Sequence, residues 1–311
     1  MRMTTSSALW SRRCLVSVFW RLMHRCARKV AGACLRWSVH SVQRHLQKYK
    51  FNVYVTEKRA KMTVYRCEDS LESIFTAIYL SYEENRNAED TYIALDEEPL
   101  LFAEDIKVKA DVAKTRKVMQ TLLRRFGEEN YLSVCMALAA EDGQKAQAVF
   151  RTVVKGLDER YEKGHLLDNL ADDHVMKTFS LARGTQREID HMKGFLRFQE
   201  LQNGILYAKI GPKNNILTFL MPHFADRLPV ENFVIYDDKR NFFGVHPQRG
   251  QWYLLSGNEM GEPPLTLSEK EMQYQELFRH FCRTIAIKER QNLDLQMNML
   301  PLRFREYMIE F

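Results

Sequence analysis

The stretch that decides the fold is FVIYDDKRNFFGVHPQRGQWYLL, residues 233–255. It contains three short apolar runs, at 233–237, 242–246 and 252–255, with a polar turn between each pair of runs. The turns are rich in Asp, Asn, Pro and Gly, which are the residues that hairpin connections favour. The spacing therefore predicts a meander of three antiparallel strands.

Helical patterns lie on both sides of this meander. After a strand predicted at 63–67, apolar residues follow the helical period through most of 71–79 and 112–161. Ser268 and Glu271 have the spacing of a capping box, which predicts a further long helix near the C-terminus. Together these elements predict an α+β fold, a single domain with a helical layer and a small, mostly antiparallel sheet.

Residues 1–61 differ in composition from the rest of the chain. They hold 14 of the 46 Lys and Arg residues and a single acid, Glu57, which leaves 62–311 with a formal charge of −7. This acidic charge weakens any claim of a large nonspecific nucleic-acid-binding surface, because such binding depends on clustered Lys and Arg. A local basic groove is still compatible with it.

Three interpretations of segment 1–61 can be compared. Its Arg-rich, Ser-rich and acid-poor composition is typical of a mitochondrial presequence. A secretory signal or a membrane span is excluded, because Arg21, Arg25 and Arg28 interrupt the apolar runs. We favour the third interpretation, an upstream start assigned in error, because Met62 stands directly before the first predicted strand. The predicted domain is then 62–311, and we expect it in the cytoplasm, without a membrane contact.

The cysteines and the standard motifs exclude several classes of protein. Cys67, Cys135 and Cys282 are isolated within 62–311 and no CxxC pair occurs, so neither a disulfide framework nor a structural metal site is predicted. The chain has no GxxxxGK[ST], GxGxxG, GxSxG or HExxH motif. Phosphate-loop, dinucleotide-binding, serine-hydrolase and zincin functions therefore lack their usual signals, and we predict no cofactor.

The first candidate site is PHFADR at 222–227, near the end of a predicted helix. His223, Phe224 and Arg227 combine groups that stack on a base with groups that pair with phosphate, which indicates a nucleic-acid contact. The alternative is structural, because a His or Arg at a helix C-terminus binds the last carbonyl groups and opposes the dipole. The sequence leaves both alternatives open.

A second candidate site lies in HMKGFLRF at 191–198. In a functional interpretation, His191 is a base at a pocket wall, and Lys193 with Arg197 binds phosphate. The alternative is a solvated ion-pair stripe on one helix face, with Asp190 and Glu200 as the acidic partners. The spacing of three and four residues fits both.

A third group of candidates lies in and beside the first hairpin turn. Asp237 and Arg240 flank the turn and His246 ends the next strand, and turn formation explains such an Asp by default because it bonds its own backbone. If the meander packs beside the helix that carries His223, then His223, Asp237 and His246 would converge as acid/base groups or metal ligands. These three residues and His191 are the catalytic candidates, and no metal site is predicted.

The motifs of 62–311 resemble those of a known bacterial family. They are MTVY at 62–65, FTAIY at 75–79, HMKGFLRF at 191–198, LYAKI at 206–210, PHFADR at 222–227, IYD at 235–237, IAIKER at 285–290 and LPLRFR at 300–305. The family consists of proteins of unknown function described as probable DNA metabolism proteins, typically encoded beside a radical-SAM protein with a helix-hairpin-helix region. The resemblance implies a bacterial, cytoplasmic protein that begins at the position of Met62 and has that radical-SAM protein as its partner.

Three functions remain as hypotheses, and whether the protein is an enzyme is left open. The first is an accessory factor in bacterial DNA repair or modification that acts with the radical-SAM partner and contacts nucleic acid. Its predicted nucleic-acid-binding residues are Lys193, Arg197, His223, Phe224, Arg227 and Arg240. The second is a glycosylase-like hydrolase of a DNA base or nucleotide, which would use His223 or His246 with Asp237. The third is a pure protein-interaction module for the radical-SAM partner.

Overall fold

The computed structural model describes residues 62–84, 87–95, 102–158, 165–260 and 266–310. Residues 61–311 form one compact unit of the chain. The basic segment 1–61, and with it the interpretation of a start assigned in error, lies outside the described residues.

The N-terminal part of this unit is a three-stranded parallel sheet. Its strands, in the spatial order β2-β1-β3, are β1 (Thr63–Arg66), β2 (Thr91–Ala94) and β3 (Glu104–Lys107). Helix α1 (Leu71–Glu83) connects β1 to β2, because parallel strands need a crossover between them. The helix begins after Ser70, whose hydroxyl accepts a hydrogen bond from the Ser73 amide at 3.2 Å.

Three long helices form the helical layer that the sequence predicts. They are α2 (Val112–Ala139), α3 (Lys145–Leu157) and α4 (Asp173–Phe195). Asp111 and Asp172 cap α2 and α4, because one carboxylate oxygen of each accepts hydrogen bonds from two amides of the first turn. Gly127 has non-helical backbone angles, φ 82° and ψ 173°, so α2 consists of two helical segments joined by a kink.

A second sheet, of five strands, forms the C-terminal part of the unit. In spatial order its strands are β4 (Gln199–Glu200), β5 (Leu206–Ile210), β6 (Phe233–Asp237), β7 (Phe242–His246) and β8 (Tyr253–Ser256). Strands β5 and β6 are parallel and are joined by helix α5 (Leu217–Arg227), whereas the other neighbouring strands are antiparallel. Helix α5 packs directly on β7, where a Cβ on Gly244 would collide with Met221.

Four α-helices follow the second sheet within the described residues. They are α6 (Gly257–Met260), α7 (Glu269–Ile285), α8 (Leu293–Met299) and α9 (Leu302–Arg305). The start of α7 is fixed to β4, because the Ser268 amide donates to the Glu200 carbonyl at 3.0 Å and Leu201 forms a β-bridge with Leu267. Helix α9 packs against the fold through Phe304, which is buried.

Two main hydrophobic cores lie inside this unit, and α4 contributes to both. Val175 and Ala182, in the first half of α4, pack in the core beneath the parallel sheet. Ile189 and Met192, in its second half, pack in the core between α5 and the five-stranded sheet. A single continuous helix therefore joins the two parts of the fold.

The α+β class and the predicted meander are confirmed by the structure. The separate parallel sheet β2-β1-β3 and the parallel pairing of β5 with β6 are additional findings. Their pairing is non-local, because a helix lies between β1 and β2 and another between β5 and β6, so neighbouring sequence carries no turn signal for it.

Candidate docking surface

The residues at the end of α5 point in different directions. Phe224 is 5% exposed and packs edge-on against Phe198, with ring centroids 5.3 Å apart. Its ring is part of the core, so it does not offer a stacking surface to a base, and the nucleic-acid role predicted for Phe224 requires correction. His223 is half-buried and Arg227 is exposed, so these two side chains stay accessible at the end of the helix.

The candidates on α4 are held in contacts within the protein. His191 packs against both Phe195 and Phe304, with ring centroids 5.7 and 5.9 Å away. Lys193 lies 3.7 Å from Asp190, as the predicted ion-pair stripe requires. Their arrangement is that of a structural helix face.

Arg197, beyond the end of α4, is engaged on both sides of its guanidinium. Its Nη1 donates to the carbonyl of Gly194 at 2.9 Å, and its Nη2 lies 2.8 Å from Glu310 Oε1. The acidic partner is thus Glu310 from the end of the chain, not Glu200 as the stripe predicts. Arg197 therefore fastens the C-terminal segment to the fold, and its charge is balanced there.

Asp237 and Arg240 form the hairpin turn between β6 and β7. The buried Asp237 carboxylate accepts hydrogen bonds from the Lys239 amide at 3.1 Å and from Arg240 Nη1 at 3.3 Å. Burial raises the pKa of the Asp237 carboxyl, and the Arg240 guanidinium opposes that rise. Arg240 also donates to the carbonyls of Pro212 and Lys213, so it closes the turn onto the loop after β5.

The proposed convergence of Asp237 with His246 does not occur. In the β6–β7 hairpin Asp237 is paired with Phe242, whereas His246 is paired with Phe233 at the other end. Four residues of strand separate the two positions, which corresponds to about 13 Å. His246 is itself buried, stacks on Phe233 at 4.6 Å, and contacts the Glu231 carbonyl through Nδ1 at 3.1 Å. It is a satisfied core histidine.

Helix α7 exposes an apolar face that the sequence-based candidates do not include. We define the α7 face as Tyr274, Leu277, Phe278, Phe281 and Ile285, whose exposures range from 36% to 67%. Within α7, which is described in full, Gln275 is the buried residue. A helix with this pattern normally packs its apolar stripe against a core, whereas here the stripe faces outward.

The attachment of α7 explains why this face is outward. The Glu271 carboxylate accepts a hydrogen bond from the Glu200 amide at 3.2 Å through one oxygen and from Gln275 Nε2 at 2.9 Å through the other. Ser268 caps the helix, because its hydroxyl accepts a hydrogen bond from the Glu271 amide, the first of the two bonds of a capping box. The second bond is replaced, because the Glu271 carboxylate accepts from the Glu200 amide and not from the Ser268 amide. The polar edge of α7 is therefore bound to the fold, and the apolar stripe is turned away from it.

A groove runs along the base of the α7 face. Its volume is about 610 Å³, and Tyr274, Phe278 and Phe281 line it from α7. Arg197 and Ile309 line it from the body of the fold. Because the Arg197 charge is balanced by Glu310, this groove suits an apolar side chain of a bound molecule.

Helix α8 is apolar on two opposite sides. Leu293 and Met297 lie on one side and Leu295 and Met299 on the other, and the four side chains are 42% to 68% exposed. The polar residues Asp294, Gln296 and Asn298 lie between them and are also exposed. A helix of this type is ordinarily buried from more than one direction.

The signal for both surfaces was present in the sequence. The apolar residues of 269–285 recur at three- and four-residue spacing, which identifies the stripe but not the side of the fold that it faces. Whether a stripe is core or surface depends on the tertiary attachment at Ser268 and Glu271. The alternation of Leu and Met through 293–299 likewise resembles a strand more than a surface helix.

The geometry defines an α+β protein in which Asp237 lies apart from His246 and whose C-terminal helices offer apolar docking surfaces. The chain belongs to DUF4130, a family of domains of unknown function, whose model matches residues 143–310. The match extends from just before α3 to the end of the described chain and includes the second sheet, α7 and α8. No curated protein matches the chain.

Two further observations concern the described part of the chain. None of its helices has the length and apolar character needed to cross a bilayer. Its His, Cys, Asp and Glu side chains form no group of three or more that would hold a metal ion.

Proposed function

We propose that this protein is an accessory factor of bacterial DNA repair or modification whose primary action is to bind a protein partner through α8. The proposal rests on the observation that α8 exposes four large apolar side chains on two opposite sides. In the part of the chain that the structure describes, both sides stay exposed, so the helix is suited to insertion into an apolar groove of another protein. Helix-in-groove binding is a common mode of such recognition.

The chemistry of α8 indicates the kind of groove that it fits. Leu293, Leu295, Met297 and Met299 are flexible, unbranched or γ-branched side chains, and Met adapts its shape to irregular apolar surfaces. The charge of α8 is limited to Asp294, so the groove that we propose is apolar with a polar rim. The partner that we name is the radical-SAM protein with a helix-hairpin-helix region that the sequence resemblance suggests.

A direct contact with nucleic acid is a second component of the proposal. Six residues are predicted to make this contact. Two of them, His223 and Arg227, have solvent-accessible side chains at the end of α5. Phe224 is buried, and Lys193, Arg197 and Arg240 are paired with Asp190, Glu310 and Asp237, respectively. DNA binding by this protein is therefore expected to be weak without the partner.

The hydrolase hypothesis has less support than partner binding. It requires His223 or His246 beside Asp237, but His246 and Asp237 are buried at opposite ends of the β6–β7 hairpin. The Asp237 carboxylate is bonded to Lys239 and Arg240, and His223 is not among its partners in the described residues. An acid/base pair has to lie within hydrogen-bond reach of a common substrate. We therefore assign no catalytic residue.

Binding of the purified full chain to the purified radical-SAM partner tests the proposal, measured by calorimetry at low and high salt without DNA. We expect binding that survives high salt, and a loss of affinity of at least about tenfold in Leu293→Ser and in Leu295→Ser, because truncating buried anchors costs 1–2 kcal/mol or more. Asn298→Ser is the matched control on a polar position and should bind normally. Equal affinity of all three variants, or no binding, would overturn the proposal.

A further inference from the structure

The α7 face has the spacing of a helix-pairing seam. Tyr274, Phe278, Phe281 and Ile285 are separated by four, three and four residues, the alternation with which apolar residues meet those of a second helix. Leu277 and Thr284 flank this row on its outer side, and both are exposed. The seam belongs to one helix and has no facing helix in the described chain.

The exposed area is sufficient for a specific contact between two such helices. A large apolar side chain offers roughly 150–250 Å². At the exposures of the α7 face, its five side chains leave on the order of 500 Å² uncovered in each copy. Two copies together would cover about 1,000 Å², the lower limit of specific protein interfaces.

The seam is self-complementary when two copies run antiparallel. Tyr274 then faces Ile285 of the second copy, and Phe278 faces Phe281 of the second copy. A two-fold axis between them repeats both contacts, as a closed dimer requires. Each layer of the seam pairs an aromatic side chain with a second apolar one.

The charges of α7 favour the same direction of pairing. The first half of the helix carries Glu269, Lys270, Glu271 and Glu276, and the second half carries Arg279 and Arg283. Antiparallel pairing places the net acidic half of each copy along the net basic half of the other, whereas parallel pairing would align halves of like charge. Glu269, Glu276 and Arg283 lie on the side of α7 away from the seam, so this complementarity acts at long range, and the apolar side chains supply the free energy.

We propose that α7 pairs with α7 of a second copy of this chain, antiparallel across a two-fold axis. This dimer goes beyond the proposed function and does not depend on it, because α8 is a separate helix and stays available to a partner in each copy. The assembly would thus present two partner-binding helices.

The oligomeric state of the full chain in solution, measured by sedimentation over a micromolar concentration range without any partner, is the first test. We expect a dimer, and we expect Phe281→Asp to raise its dissociation constant at least about tenfold, since a charge would be buried in the seam. Met272→Asp introduces the same charge on the opposite, exposed side of α7 and should remain a dimer. A monomeric wild type, or a dimer that Phe281→Asp leaves intact, would overturn the proposal.

Disulfide trapping tests the direction of pairing. The variant Leu277→Cys/Thr284→Cys, with Cys282→Ser, should form a covalent dimer with a disulfide between position 277 of one copy and 284 of the other, identified by peptide mapping. The two positions are about 10 Å apart within one helix, too far for a disulfide inside one chain. Leu277→Cys with Cys282→Ser is the control, and a disulfide joining two copies of position 277 would contradict antiparallel pairing.

Discussion

Arg197 and Glu310 form an ion pair that joins the end of α4 to the end of the chain. Nε and Nη2 of Arg197 donate to the same oxygen, Oε1 of Glu310, at 3.2 and 2.8 Å. The Glu310 side chain is 11% exposed, so the carboxylate depends on Arg197 to offset its desolvation. This contact also fixes Ile309, which lines the groove below the α7 face.

We predict that Arg197→Ala lowers the free energy of unfolding by about 1–3 kcal/mol, because it leaves a largely buried carboxylate without its charged partner. Urea unfolding of the two single variants and the double variant Arg197→Ala/Glu310→Ala measures the coupling, which we expect to be about 0.5–3 kcal/mol. Lys193→Ala, whose pair with Asp190 is more exposed, should change stability by less than about 0.5 kcal/mol. Additive single effects would contradict the predicted coupling.

Nucleic-acid binding should depend on Arg227 more than on other exposed arginines. If the end of α5 contacts phosphate, Arg227→Ala should reduce the slope of log affinity against log salt by about one, in the presence of the partner. Arg124, exposed on α2, provides the control with the same change of charge. Titration of single-stranded and duplex DNA over a salt series measures both variants. Equal slopes for both would remove nucleic acid from the proposal without affecting partner binding.

The meander was predictable because its signals are local. Each strand is a short apolar run of four or five residues, and the turn at 238–241 is formed by its own sequence, with Asn241 in the left-handed region at φ 55°. The parallel sheet was not predictable in the same way. Residues 63–66 pair with 91–94, and α1 lies between the two strands in the sequence. Neither stretch contains a sequence signal that identifies the other as its pairing partner.

The candidate residues show the same division between local and tertiary information. His223 and Phe224 are neighbours in sequence, but adjacent residues on a helix point about 100° apart, so one lies near the surface and the other in the core. The separation of Asp237 from His246 follows from the hairpin register. The exposure of the α7 face follows from the binding of Glu271 to Glu200, a contact 71 residues apart in the chain.

Gly127 should be essential to the shape of α2. Its φ of 82° with ψ of 173° is a conformation that residues with a Cβ rarely adopt, although a Cβ there would meet no atom within 4 Å. We therefore expect Gly127→Ala to cost about 1–3 kcal/mol through backbone strain alone. Gly143→Ala is the matched control, because Gly143 also has free space around it but no positive φ. Urea unfolding measures both, and equal stability of the two variants would show that the kink tolerates a side chain.

Asp237 should make the stability of the protein depend on pH. Its pKa is raised by burial above the ordinary value of 3.8, so the folded state holds a proton that the unfolded state has released in the interval between the two values. The free energy of unfolding contributed by this group therefore falls as pH rises from about 3.8 through the raised pKa. The Asp237→Asn variant has no titrating carboxyl at this position. The pH dependence of its stability therefore measures the contribution of all other groups.

We expect the stability of the wild type, relative to Asp237→Asn, to decrease as pH rises across that interval and to level off above it. Urea unfolding of both proteins at a series of pH values measures the difference. A difference that grows in favour of the wild type with rising pH would mean that attraction to Arg240, 3.3 Å away, outweighs the burial of the carboxylate. In that case the Asp237–Arg240 pair would be a net stabilising ion pair of the hairpin, and the pKa of Asp237 would lie below its ordinary value.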